Sequence, residues 1–147
     1  MANFATHFYF SPSGRTGRRL YWIFGVVPLL LAGFLLGLLL GFLLRIVGLP
    51  LAVFWLLFGV IGLIGVWSWI CIGSRRLHDI NQPGWWMLVV SALHIGIAFV
   101  APAPVAPIFS VVVTTVLGAI PGTIGSNAFG ADPNATPATA VNDLADA

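Results

Sequence analysis

Four apolar runs separated by short polar connectors set the pattern of this chain. Trp22–Leu44 and Leu51–Gly73 are 23 residues each, and Trp85–Ala101 and Val105–Ile120 are 17 and 16. A helix of 23 residues is about 34 Å long, enough to cross a hydrocarbon core of about 30 Å. The last two runs are separated by Pro102, Pro104 and Pro107, which no regular helix accommodates together. They read as two short spans joined by a Pro-rich turn, or alternatively as one broken or re-entrant pair. The fold class expected is an all-α polytopic transmembrane bundle of four hydrophobic helices. The alternative is three spans, the last long and broken.

The connectors sharpen this division. Residues 1–20 form an aromatic and basic leader with Phe4, His7, Phe8, Tyr9 and Phe10, then Ser11-Pro12-Ser13-Gly14, then Arg15, Arg18 and Arg19. Ser13 is a candidate N-cap for a helix entering the first span. On such a helix Arg15, Arg18, Arg19 and Trp22 share one face, and the leader would lie in the membrane interface. Pro28 is a candidate kink. Arg45, Gly48 and Pro50 mark the first turn, and Asn81, Gln82, Pro83 and Gly84 the second. Residues 21–130 form the transmembrane domain. Residues 131–147, rich in Ala, Thr, Asn, Pro and Asp, have little to bury and are expected to be disordered. The 23-residue first run is too long for a cleaved secretory signal.

Composition agrees with a membrane class. Hydrophobic residues are 59% of the chain and charged residues 7%, against roughly 25% charged in a soluble domain. The charges are six arginines and four aspartates, with neither lysine nor glutamate. Three arginines precede the first span, one follows it and two follow the second, so the positive-inside rule puts the N-terminus and the Arg75 connector in the cytoplasm. This basic excess suits anionic lipid headgroups. It is too small and too dispersed for a nucleic-acid stripe. One cysteine, Cys71, allows no intrachain disulfide.

Candidate chemistry concentrates in one place. Between Leu20 and Ser74 the only charged residue is Arg45, and between Ile80 and Ala131 there is none. Arg75, Arg76, His78 and Asp79, followed by Trp85 and Trp86, therefore form a polar island between membrane-length runs. Five of six tryptophans and five of six arginines fall toward the same expected cytoplasmic ends, as in an aromatic belt with snorkelling arginines. The sharper reading is a headgroup- or partner-binding patch of Arg15, Arg18, Arg75, Arg76, His78, Asp79, Trp85 and Trp86. An Arg15 in the first turn of a helix would hold a phosphate together with the helix N-terminus. Arg75 and Asp79 are spaced to pair if the second helix continues. His78 and Asp79 do not make a catalytic dyad, since adjacent helical residues do not face each other. Gly33, Gly37 and Gly41 line one helix face at the spacing that lets helices approach closely, within or between protomers. His94 is the ionisable residue inside a span, a functional hypothesis by default, and Ser110, Thr114 and Thr115 would bond their own or a neighbouring helix. No metal-ligand, phosphate-loop or thiol-redox pattern is present, so no metal, cofactor or enzymatic activity is expected.

Three motifs carry a family resemblance: Gly14-Arg15-x-x-Arg18-x-x-Tyr21-Trp22; Arg75-Arg76-Leu77-His78-Asp79 with Gly84-Trp85-Trp86; and Pro121-Gly122-Thr123-x-Gly125-x-Asn127-x-Phe129-Gly130-x-Asp132-Pro133. In this order they resemble the YhaH-like bacterial inner-membrane proteins, the domain of unknown function 805, over roughly residues 10–133. The resemblance implies a small polytopic inner-membrane protein and supplies no catalytic residues. The chain departs from the family in Pro83, where Ser is usual, in Ala128, where Arg is usual, and in a longer last hydrophobic region. The expected function is a non-enzymatic membrane component that binds anionic lipid, a partner protein or a second copy of itself; the alternative is a small transporter or channel component. If the last region crosses twice, the chain returns Asn127, Phe129 and Asp132 to the arginine and tryptophan cluster.

Overall fold

The computed structural model describes residues 4–135. It is all-α, with five helices among the described residues: α1 (Phe4–Phe10), α2 (Arg18–Val47), α3 (Leu51–Asp79), α4 (Trp86–Val100) and α5 (Val105–Ala119). Two are long and apolar, α2 with 30 residues and α3 with 29, and α4 and α5 are shorter apolar helices of 15 residues each. They form two consecutive helical hairpins. The two short runs are thus separate helices, and the turn between them falls at residues 101–104.

Each turn is written in residues with special backbone demands. Gly48 ends α2 in the left-handed conformation (φ 75°), and Pro50 follows at the N-cap of α3. Asn81 ends α3 with φ 57°. Its N–H bonds to the His78 carbonyl at 3.1 Å and the Gln82 N–H to the Leu77 carbonyl at 2.8 Å, the paired reversal that closes helix ends. Pro83 then prevents any continuation.

Helix α2 begins four residues later than the Ser13 cap expected. Its N-cap is Gly17, and Ser13 instead shares a hydrogen bond with Ser11. Arg15 therefore lies in the loop before the helix, off the face of Arg18, Arg19 and Trp22. Pro28 does not break α2. The turns before it, Tyr21–Val26, widen to π-helix. A proline has no N–H, so the Phe24 carbonyl four residues back loses its α-helical donor. The Tyr9 hydroxyl donates to that carbonyl at 2.5 Å, and α1 is thereby tied to α2. Burial raises the Tyr9 phenol above its ordinary pKa, keeping it a donor.

The packed core sits at one end. Phe8, Tyr21, Ile72, Leu77, Met87 and Leu117 form it, with Trp22 and Trp69 against it. Close backbone approach is set by glycines: a Cβ on Gly73 would overlap Met87, and one on Gly118 would overlap the Trp22 indole. Beyond this end, α2 and α3 run on with little covering them. Of the most apolar window of each, only 17% and 6% of residues are buried. Leu30, Leu31, Phe34, Leu35, Leu56 and Leu63 are all exposed. The core helix of a soluble protein would show the reverse. Within the leader, Phe8 is 1% exposed and packs into the core.

Candidate functional site: a buried arginine–aspartate clasp

At the packed end three chain segments close on one carboxylate. Asp79 is the last residue of α3. Because that helix runs past the apolar stretch, Arg76 lies one turn before Asp79 and the two form an ion pair through Arg76 Nη1 and Asp79 Oδ2. Arg15 reaches the same carboxylate from the loop before α2, with Nη2 3.1 Å and Nε 3.3 Å from Oδ1. The Asp79 side chain is 2% exposed, Arg15 1% and Arg76 0%. The intrahelical pair is thus Arg76 with Asp79, and the expected Arg75–Asp79 pair does not form.

Two buried cations against one anion leave a net positive charge that must be neutralised locally. Backbone carbonyls supply the compensation. Arg15 Nη1 donates to the carbonyls of Gly125 (2.6 Å) and Gly130 (3.2 Å), and its Nη2 to the Thr123 carbonyl (2.6 Å). Arg76 Nε donates to the Leu117 carbonyl at 2.8 Å, Nη1 to that of Thr16 at 3.4 Å, and Nη2 to that of Ile120. Leu117 and Ile120 stand at the C-terminal end of α5, where orphan carbonyls and the helix dipole favour a cation. Arg76 is therefore the cap of a helix 41 residues further along the chain.

The third motif wraps the same point. The Thr123 N–H and hydroxyl both donate to the Asp79 carbonyl, at 2.8 and 3.0 Å. Asn127 Nδ2 donates to the His78 carbonyl at 2.9 Å and to the Thr123 hydroxyl at 2.8 Å. Its Oδ1 accepts from the Phe129 N–H at 2.9 Å. Asp132 Oδ2 accepts from the Gly125 N–H at 3.1 Å, at the start of the 131–147 segment expected to be disordered. Residues 136–147 of that expectation lie outside the described residues. Gly122 has to be glycine, because a Cβ there would overlap the Asp79 carboxylate.

The other expected site residues divide around this clasp. His78 donates from Nδ1 to the Gly14 carbonyl at 3.0 Å and stacks on Phe129, centroids 4.2 Å apart. Gly14 itself takes φ 87°, a value glycine adopts at no steric cost. Arg75 turns away toward α1, donating to the His7 carbonyl at 3.2 Å and lying 5.1 Å from the Phe8 ring centroid. Arg18 is exposed and borders a cavity of about 300 Å³ of mixed polarity, lined by Asp79, Thr123, Asp132 and Asn134 together with Pro121 and Ile124. Trp85 and Trp86 are exposed and stack on each other at 4.5 Å. Gly33, Gly37 and Gly41 meet nothing within 4 Å, so they pack no helix within the described chain. Among the described residues no group of three His, Cys, Asp or Glu side chains is placed to hold a metal ion.

Sequence reasoning passed over Thr16, quoted Gly122 and Thr123 only as parts of a family motif, and could not see the carbonyls of Leu117, Ile120, Gly125 and Gly130. The signal available was the third motif itself, whose Gly, Thr and Asn residues suit a tight polar loop. Searches of curated proteins and of solved structures return no match. A family model does match, over residues 9–131, and that stretch runs from α1 through all three parts of the clasp to the edge of Asp132. The chain belongs to the family described as protein of unknown function DUF805.

Proposed function

We propose that this chain is a multi-pass protein of the bacterial inner (plasma) membrane, with its N-terminus cytoplasmic, and that it acts as a non-enzymatic membrane component. The observation that carries the reading is the clasp. All three nitrogens of both Arg15 and Arg76 are spent on Asp79 and on backbone carbonyls, so the most charged part of the chain fastens the fold and is not left open to a substrate. The apolar faces of α2 and α3, uncovered over most of their length, are the complementary half of the argument, since such area needs lipid or protein around it.

The binding surface is then narrower than the eight residues of the motif. Arg15, Arg76, His78 and Asp79 build its floor. Arg18, Arg19, Trp85 and Trp86 are exposed at the same end, with Arg75 half-buried beside them. Guanidinium groups next to amphipathic indoles fit anionic headgroups at a membrane surface. A partner protein or a second copy would meet the same groups.

Native mass spectrometry of the full chain, extracted with its lipids, tests this. The double variants Arg18→Gln/Arg19→Gln and Trp85→Ala/Trp86→Ala should lose retained phosphatidylglycerol relative to the parent. They should keep its helicity, because neither pair enters the clasp. Undiminished lipid retention and assembly in both folded variants would overturn the surface. Release of the parent chain from membranes by alkaline carbonate would overturn the integral placement itself.

A further inference from the structure

Between α2, α3, α4 and α5 lies a second cavity, of about 410 Å³, unrelated to the clasp. Its wall is mostly apolar and aromatic, including Trp22, Val66 and Trp69. The hydroxyl residues Ser91, Thr114 and Thr115 also line it, and one side-chain pair joins two of its walls. His94 of α4 and Ser110 of α5 both line the cavity, and His94 Nδ1 lies 2.7 Å from Ser110 Oγ. The other ring nitrogen, Nε2, has no hydrogen-bond partner in the described structure, although the ring borders the cavity.

We propose that this cavity binds a membrane-dissolved quinone. The inference rests on the membrane placement proposed above. The volume falls within the range of small-molecule sites, which are apolar pockets with a few placed polar groups. Among the described residues no formally charged side chain lines it, so a neutral ligand suits it better than a lipid phosphate. His94 stands eight residues beyond Trp86, about 12 Å along the helix. With Trp86 at headgroup depth, that is deeper than a phospholipid's own polar groups, and a ring carrying its oxygens into the hydrocarbon region reaches it. Trp22 and Trp69 line the cavity, and aromatic walls suit such a ring.

The Ser–His pair adds the argument that separates a quinone from a plain acyl chain. When Ser110 donates to Nδ1, Nε2 carries the proton and donates to a ligand carbonyl. When Nδ1 donates to Ser110, Nε2 accepts from a ligand hydroxyl. The pair thus presents a donor to the quinone and an acceptor to the quinol by exchanging tautomers, with no net charge placed in the cavity. An acyl chain would leave Nε2 unsatisfied in an apolar wall, which is costly.

The test is tryptophan-fluorescence titration of the full chain in lipid nanodiscs with decylubiquinone and its reduced form, since Trp22 and Trp69 border the site. Saturable quenching by the quinone is expected, with competition by the quinol. His94→Leu should weaken binding about tenfold, and His94→Gln, which keeps a donor and an acceptor, should stay within a few-fold of the parent. Helicity and elution volume of both variants, read alongside, establish that they fold. Quenching that rises linearly with membrane quinone content, that is equal in His94→Leu, or that dioleoylglycerol displaces equally well would overturn the proposal. Carbonate extraction is scored separately, so failure of the membrane placement and failure of the site are distinguishable.

Discussion

Asp79 is one carboxylate serving two guanidinium groups, with its side chain only 2% exposed, and that fixes what its loss would do. Breaking a buried ion pair by removing one partner costs about 3–5 kcal/mol, because the remaining charge stays buried. Arginine does not escape by deprotonation. Asp79→Asn should therefore destabilise the chain by about that amount in thermal unfolding of the detergent-solubilised protein, whereas Arg18→Gln, at the exposed rim, should stay within about 0.5 kcal/mol. Equal effects of the two would show that the clasp is not the fastening point. This contrast was only half legible in the sequence. The scarcity of charge marks residues 75–79 as important, but helical spacing points to Arg75 as the partner of Asp79 and the pair is Arg76. The choice of Arg76 over Arg75 follows from packing: Arg76 faces α5 and the loop holding Thr16, while Arg75 faces Phe8 of α1. A pattern of residue types does not record which neighbour each helix face will meet.

Among the helices, glycine spacing gives a weaker forecast than hydrophobic length. The runs 22–44 and 51–73 were readable as helices because membrane-length apolar stretches have few other structures open to them. Both helices extend further, to Val47 and Asp79, since the polar residues at their ends still complete helical turns. The Gly33, Gly37 and Gly41 stripe looks like a packing face, yet it meets open space, whereas the unremarked Gly118 takes the Trp22 indole directly. The same substitution at the two places should separate these roles. Gly118→Val should cost about 1–3 kcal/mol or more by overpacking, seen as a lowered unfolding temperature and altered tryptophan emission. Gly33→Val should leave monomer stability unchanged and alter only self-association, measured by crosslinking or sedimentation in detergent. A destabilised Gly33→Val monomer would mean that the stripe packs within the chain after all.

The whole molecule is built asymmetrically. One end holds α1, the loop before α2, the end of α3 and residues 121–132, all joined by charge-assisted and backbone hydrogen bonds; the other is bare apolar helix. Two hairpins in succession require the chain to come back to the side on which it started. A topology reporter fused after the chain's last residue should accordingly read cytoplasmic, on the same side as one fused at the N-terminus. A reading on opposite sides would be incompatible with residues 121–132 binding Arg15 and Asp79. The amino-acid sequence by itself determined the all-α class, the approximate extent of the apolar runs, and the three motifs that mark the family; it left open whether the last apolar region is one broken helix or two. These follow from local quantities: hydropathy over a window, the missing N–H of proline, the freedom of glycine. Tertiary structure alone decided that the three motifs are parts of one clasp, that Arg76 caps α5, and that His94 meets Ser110 across a cavity. Each of these joins residues far apart in the chain, several of them through backbone carbonyls, which every residue carries and no sequence distinguishes.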